Sequence, residues 1–459
     1  MKNGSRIGSI VFFIIVIIVL IKVYGIYDSR DFNDFVRAEK NINISDFSRD
    51  NKITTCDYPS FKIYSDGFND AMFFETVNVT PNTPYKVTCL VKTDNIQKLD
   101  SGNGGGAQIS IEGTTERSKA ISGTNDWTKL VLYFNSRNRT KVNIGFRLGG
   151  YDNEVTGTAW FSDITFEEGT NNNNNNTSTW NFACFIIKNL DANINVDGAI
   201  KNYKFNIDEK DISLIEEDMA RFKNTCERFS EGRMKINYNM IQINQPLTSL
   251  SYDEENKYYV NPTDVEPLID SYITNKEYDH IFIVVRMGDI SKMEEIPVND
   301  WIGLGAMDYH NIGFANIRLP NNQDSYIYRF DSRINQFPEE VFLHEFLHTL
   351  ERNLTESGYD IPALHDYNKY GYESDGLYSL REWYRDYMQK KINYNGTQIG
   401  LDSVCYSMKP VHESDFQFSY KKDIVNEPKN IIEEIRAIIK HIINLITVVK
   451  ENGIENIHL

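Results

Sequence analysis

Cysteine is scarce and scattered. Five thiols, Cys56, Cys89, Cys184, Cys226 and Cys405, are spread over 459 residues with no C-x-x-C spacing. That argues against a thiolate zinc site and against a disulfide-built scaffold. The odd number leaves at least one thiol unpaired; a Cys56–Cys89 bridge would fall within one domain. Basic charge is also short, with 48 Lys and Arg against 65 Asp and Glu, a net charge of −17. No dense cationic face offsets that deficit, so the reading is no nucleic-acid partner. Histidine is the third rarity. With only 8 in the chain, two at a ligand spacing carry weight.

What is present is enough to fold. Apolar residues make up 41% and aromatics 13%, ample for packed cores, and the length predicts two or three domains. The N-terminus sets the compartment. Lys2 and Arg6 precede the apolar run Ile7 to Ile21, which is short for a full span of about 20 residues and reads as an export signal. No A-x-A cleavage site follows, since Tyr24 and Ile26 are bulky. Residues 1–26 are therefore a signal-anchor or a cleaved signal peptide, and either way the remainder is extracellular or at the cell surface. The abundance of Asn, Ile and Lys fits an AT-rich bacterial genome.

Residues 27–54 are polar and predict a stalk. From 55 to 168 the pattern becomes period-two alternation broken by turn residues. Tyr85 to Lys92, Trp127 to Phe134, Lys141 to Leu148 and Gly157 to Glu167 are strands, and Ser101 to Gly106 is a loop. Many short strands without a helix predict a β-sandwich or jelly roll. Three stretches, Thr80-Pro81-Asn82-Thr83-Pro84-Tyr85-Lys86-Val87, Asp126-Trp127-Thr128-Lys129-Leu130 and Gly157 to Ile164, resemble strand signatures of jelly-roll carbohydrate-binding modules. That resemblance implies a glycan or cell-wall polysaccharide ligand. Trp127 and Trp160 lie within alternating strands and are expected in the core rather than as sugar platforms.

Six asparagines, Asn171 to Asn176, centre a low-complexity linker over 169–179. Beyond it, strands and helices alternate. Phe182 to Ile187, Lys235 to Ile243, Asp279 to Arg286 and Gly313 to Arg318 read as strands, Asp208 to Arg233 and Val265 to Ile273 as helices. Then comes His344-Glu345-Phe346-Leu347-His348, entered through Phe337-Pro338-Glu339-Glu340, a good helix start. Two histidines four apart share one helix face, where they can hold Zn2+, and the glutamate beside the first is placed as general base toward a water.

A catalytic zinc needs a third protein ligand. Gly358 can end the helix and Pro362 prevents its continuation. The stretch from Gly358 to His365 spans about 20 Å if extended, enough to return along the helix. His365 is the expected third ligand, with Asp366, Glu373 and Glu382 as alternatives and His310 and His412 in less suggestive contexts. Tyr359, Tyr367, Tyr370 and Tyr372 crowd this loop as candidate oxyanion donors, though packing is the favoured reading. Val404 to Pro410 reads as a turn beneath the metal. Glu340 and Glu351 are spaced to support the histidines or simply to face solvent.

The motif after an alternating α/β run resembles the zincin metallopeptidases. That implies residues 180–420 form an α+β domain, a mixed sheet plus metal helix, with an edge strand near Trp301 to Arg318 that binds peptide by strand addition. The sequence departs from the metzincin form, which would need Gly at Glu351 and His at Leu354. Residues 421–459 predict a C-terminal helix, with Ile431, Ile435, Ile438, Ile442, Leu445 and Val449 in heptad spacing. The chain thus reads as an exported zinc endopeptidase acting on protein or glycoprotein, targeted by its sandwich module. A carbohydrate-binding adhesin with an inactive zincin domain, or a zinc hydrolase of another amide or glycan-linked bond, is the alternative.

Overall fold

The computed structural model describes residues 35–55, 59–99, 105–150, 153–170, 177–274, 276–289, 294–299, 301–319, 339–373 and 380–416, with the backbone of 418–425. The N-terminal apolar run, Cys56, the six asparagines and the heptad-spaced Ile431 to Val449 lie outside them. Among the described residues, no helix is long and apolar enough to cross a membrane.

The first unit is a β-sandwich of nine strands: β1 (Val36–Glu39), β2 (Ser45–Asp50), β3 (Ser60–Asn69), β4 (Ala71–Asn78), β5 (Pro84–Lys98), β6 (Gly106–Ile111), β7 (Gly123–Asn135), β8 (Lys141–Gly149) and β9 (Val155–Gly169). They form two antiparallel sheets, β1-β4-β8-β6 and β2-β3-β9-β5-β7. The period-two pattern has its usual cause: Tyr85, Val87, Cys89 and Val91 on β5 and Val142, Ile144, Phe146 and Leu148 on β8 point into one core between the sheets. Cys89 is a buried free thiol in that core, so it forms no bridge with Cys56.

Two expectations need correction here. The polar segment read as a stalk over 27–54 contains β1 and β2, which pair with β4 and β3. Both are edge strands, and edges carry charged and polar residues because one side faces solvent. The C-terminal helix expected from 421 begins instead as a strand, β15 (Phe418–Val425), antiparallel to the Ile164–Gly169 end of β9. On that edge of β9, β3 covers Val155 to Phe161 and β15 covers the rest.

The second unit is a five-stranded mixed sheet. Its strands are β10 (Ser178–Ile187), β11 (Met234–Ile243), β12 (His280–Arg286), β13 (Gly303–Tyr309) and β14 (Ile312–Leu319), in the order β11-β10-β12-β14-β13. All pairings are parallel except that of β13, an antiparallel edge. β10 shows why such strands read as continuous apolar runs. Trp180, Phe182, Cys184 and Ile186 pack on one face, Ala183, Phe185 and Ile187 on the other. The first face is covered by α1 (Glu209–Phe229), α3 (Glu340–Glu356) and α4 (Arg381–Met388); α2 (Pro262–Ile273) covers the second. α1 and α2 each start at a capping box, Asp208 with Asp211 and Asn261 with Asp264.

The two units are docked. Arg137 of the sandwich donates to the carbonyls of Ser407 (3.1 Å) and Lys409 (2.8 Å). Thr115 gives both its amide and hydroxyl to Glu356 at the end of α3. Arg117 pairs with Asp308 at the end of β13, 3.3 Å away with both side chains buried. The chain crosses back once more through β15.

Candidate metal centre

α3 is amphipathic by design of its spacing. Phe342, Leu343, Phe346, Leu347, Leu350 and Leu354 fill the core below, which leaves His344 and His348 one turn apart on the outer side. Gly358, at φ 79°, ends the helix, and Tyr359 N–H bonds back to Leu354. The chain then turns at Ala363–Asp366 and returns His365 to the pair.

The three Nε2 atoms form an equilateral triangle. His344 to His348, His348 to His365 and His365 to His344 are each 3.1 Å apart. An imidazole nitrogen has one in-plane position, filled by either a proton or a lone pair, so three such atoms facing one point cannot satisfy one another. Three lone pairs aimed at a cation satisfy all. Nitrogens this close would all reach one small cation, and three imidazoles are an ordinary protein ligand set for zinc.

The far sides of the rings fix the tautomers. His348 Nδ1 lies 3.0 Å from Glu351 Oε2, an acceptor-only carboxylate, so Nδ1 carries the proton and Nε2 the lone pair. His344 Nδ1 lies 2.9 Å from the Tyr384 hydroxyl, whose pKa burial and then the nearby Glu340 carboxylate hold well above the usual phenol value. A neutral hydroxyl oxygen there can accept from an N–H at His344 Nδ1, the tautomer that leaves the lone pair on Nε2. Burial, then the neighbouring rings of His348 and His365, push His344 down to about 3, and burial with His348 lowers His365. Neutral imidazole is the ligating form.

Glu345 points at the edge strand. Burial raises its carboxyl to about 7, against the opposing pull of His348 and of the Gly305 amide that it accepts. β13 passes so close that a Cβ on Gly303 would meet Glu345 Oε1 at 2.5 Å. The strand bulges between Leu304 and Met307, with Ala306 at φ 55°. Arg352 holds the bulge, donating to the carbonyls of Ala306 (2.8 Å) and Met307 (2.9 Å). Among the described residues, no strand pairs with the outer side of β13.

The other candidates lie elsewhere. Asp366 is ion-paired with Lys369, and Glu382 is an exposed neighbour of Arg385; neither joins the triad, nor does Glu373. His412 pairs with buried Asp279. His310 sits with Glu266 and Asp270, but Lys119 of the sandwich reaches both carboxylates. The loop tyrosines pack: Tyr370 stacks on Trp383 and Tyr372 donates to Asp386. The Met408 carbonyl ties to Asn353, beyond the second histidine, so the turn read beneath the metal lies against the end of α3. Sequence reasoning missed Tyr384, whose one local signal is the buried Trp383, Tyr384, Tyr387 and Met388 of α4.

On the sandwich, Trp160 is buried but outside the core between the sheets. Its indole donates to Asp50 at 3.0 Å, and Lys62 lies over its ring. Trp127 is half-buried, on the strand parity opposite Leu130, Leu132 and Phe134. The expectation of a core position fails for both, because each Trp falls on the strand parity opposite the core residues, Leu130 and Leu132 on β7 and Ala159 and Phe161 on β9.

No family model matches the chain. It is 30% identical over 112 residues to the tRNA(Glu)-specific nuclease WapA of Bacillus subtilis subsp. natto, a stretch covering 22% of this chain and 4% of that protein. So small a share leaves the nuclease activity with that protein. Among solved structures, similarity extends to TmCBM61 in complex with beta-1,4-galactotriose (10% identity, 30% of this chain and 92% of that chain, TM-score 0.22). It extends also to the CBM22-1-GH10 modules of Clostridium thermocellum xylanase 10B (11%, 32% and 30%, TM-score 0.20) and to tailspike protein 4 of bacteriophage CBA120 (11%, 30% and 19%, TM-score 0.23). Identities and scores this low say nothing of a ligand for this chain.

Proposed function

We propose that the chain is an exported zinc-dependent endopeptidase whose sandwich directs it to glycans of the cell envelope or of glycoprotein substrates. The observation that carries the peptidase reading is the triangle of His344, His348 and His365 with Glu345 beside it and the edge strand β13 overhead, whose outer side pairs with no strand among the described residues. The three Nε2 atoms would hold Zn2+, which supplies Lewis-acid polarisation of a carbonyl and lowers the pKa of water to about 7. Glu345, desolvated and next to the triad, takes a proton from the attacking water and delivers it to the departing amine. Its raised pKa suits it to both halves of that transfer. The outer edge of β13 offers backbone groups to an extended peptide, orienting it across the three histidines.

The glycan reading rests on the strand signatures around Thr80, Trp127 and Gly157. The export reading rests on the basic, then apolar, N-terminus.

The test uses the full chain, purified in detergent. Wild type binds about one zinc per chain at the histidine triad and cleaves unfolded casein; Glu345→Gln keeps the metal and loses cleavage. Equal cleavage by both rejects Glu345 as base. A zinc-free wild type that still binds envelope polysaccharide on a glycan array would instead make the protein an adhesin.

A further inference from the structure

Glu351 lies one turn beyond His348 and spends its two carboxylate oxygens on different partners. Oε2 is 3.0 Å from His348 Nδ1, while Oε1 accepts the Leu364 amide at 2.8 Å. Leu364 immediately precedes His365. Its carbonyl is also held, by the Trp383 indole at 2.9 Å. The residue that delivers the third histidine is thus pinned at both backbone groups, from α3 on one side and α4 on the other. Glu351 is the group common to the loop and to the helix histidine.

We propose that Glu351 is a positioning residue that assembles the triad, setting the tautomer of His348 and the placement of His365 through one carboxylate. The proposal rests on the zinc reading of the three histidines. An isolated His–Glu pair on a helix surface would contribute little; the second bond, to a loop amide, makes this one different. Only a carboxylate serves both donors, because it has two acceptor oxygens and no hydrogen. A carboxamide has one oxygen, so its NH2 must face either the His348 N–H or the Leu364 N–H. Substitution by Gln therefore keeps size and breaks one of the two contacts.

The experiment compares full-length wild type, Glu351→Gln, Glu351→Ala and His365→Ala. Zinc affinity is read by competition with a chromophoric chelator, and unfolding midpoints are read in excess EDTA. Glu351→Gln is expected to bind zinc about 10–100-fold more weakly, with a metal-free midpoint matching wild type. The visible absorption of Co2+ bound in place of zinc should shift in Glu351→Ala toward the spectrum of His365→Ala. Unchanged zinc affinity in Glu351→Gln overturns the proposal while leaving the metal reading intact. So does a metal-free midpoint that falls in step with affinity, since that marks a structural role alone. A wild type that takes up no zinc overturns both.

Discussion

Gly303 has no room for a side chain because Glu345 fills the space: a Cβ there would lie 2.5 Å from both Cγ and Oε1 of the glutamate. Gly305 is as tight, with its would-be Cβ 2.6 Å from the Glu345 carbonyl. These glycines let the edge strand run against the helix at the one point where the candidate base emerges.

Gly303→Ala should therefore act on the base and spare the metal. The methyl group must push Glu345 or the strand aside, and a displacement of about 1 Å at a reacting group costs roughly 10²-fold in rate. Casein hydrolysis should fall by about that factor, with zinc content unchanged. Normal activity in Gly303→Ala would show that Glu345 works from a different rotamer, or not at all.

Tyr384→Phe tests the other histidine of the helix. The hydroxyl lies 2.9 Å from His344 Nδ1, so its loss leaves a largely buried ring nitrogen without that partner, at a cost of about 1–3 kcal/mol. The ring also loses its bias toward a lone pair on Nε2. Zinc affinity should drop about 10–100-fold, read by the same chelator competition. An unchanged affinity would mean that packing alone orients His344.

Much of this arrangement was legible in the sequence, and the parts that were not share a cause. The inner strands of the second unit read clearly because both faces of residues such as Phe182 and Phe185 are buried, which leaves an apolar run. The return of the chain toward α3 was readable from Gly358 and Pro362, whose backbone limits are local. β1 and β2 resemble a stalk in sequence because their residues suit an exposed edge. β15 falls where the sequence predicts the start of a helix, because its partner, β9, lies far back in the chain. Tyr384 is hidden for the same reason: its role depends on α4 packing beside α3, and the aromatic run within Arg381–Met388 signals burial without encoding that contact. Local rules reported local structure; contacts between distant segments set the rest.

His280 carries a prediction independent of the metal. It lies fully buried beneath α3, with Nε2 3.1 Å from the Thr349 hydroxyl and Phe182, Phe282 and Phe346 around the ring. Burial, helped by the nearby Arg352 cation, pushes it from 6.5 down to about 3. Between those values the unfolded chain takes up a proton that the folded chain refuses. The contribution of neutral His280 is thus complete above pH 6.5 and is lost as pH falls toward 3, with a slope of about 1.4 kcal/mol per pH unit. His280→Gln keeps a polar group near Thr349 but cannot titrate. In excess EDTA, the stability advantage of wild type over His280→Gln should shrink by about 2 kcal/mol between pH 7 and pH 5, measured by urea unfolding at each pH. His344 and His365 titrate in both proteins, so their effect cancels in that difference. Curves that stay parallel across the window would mean that the folded protein lets His280 protonate, and that the layer under α3 is open to water.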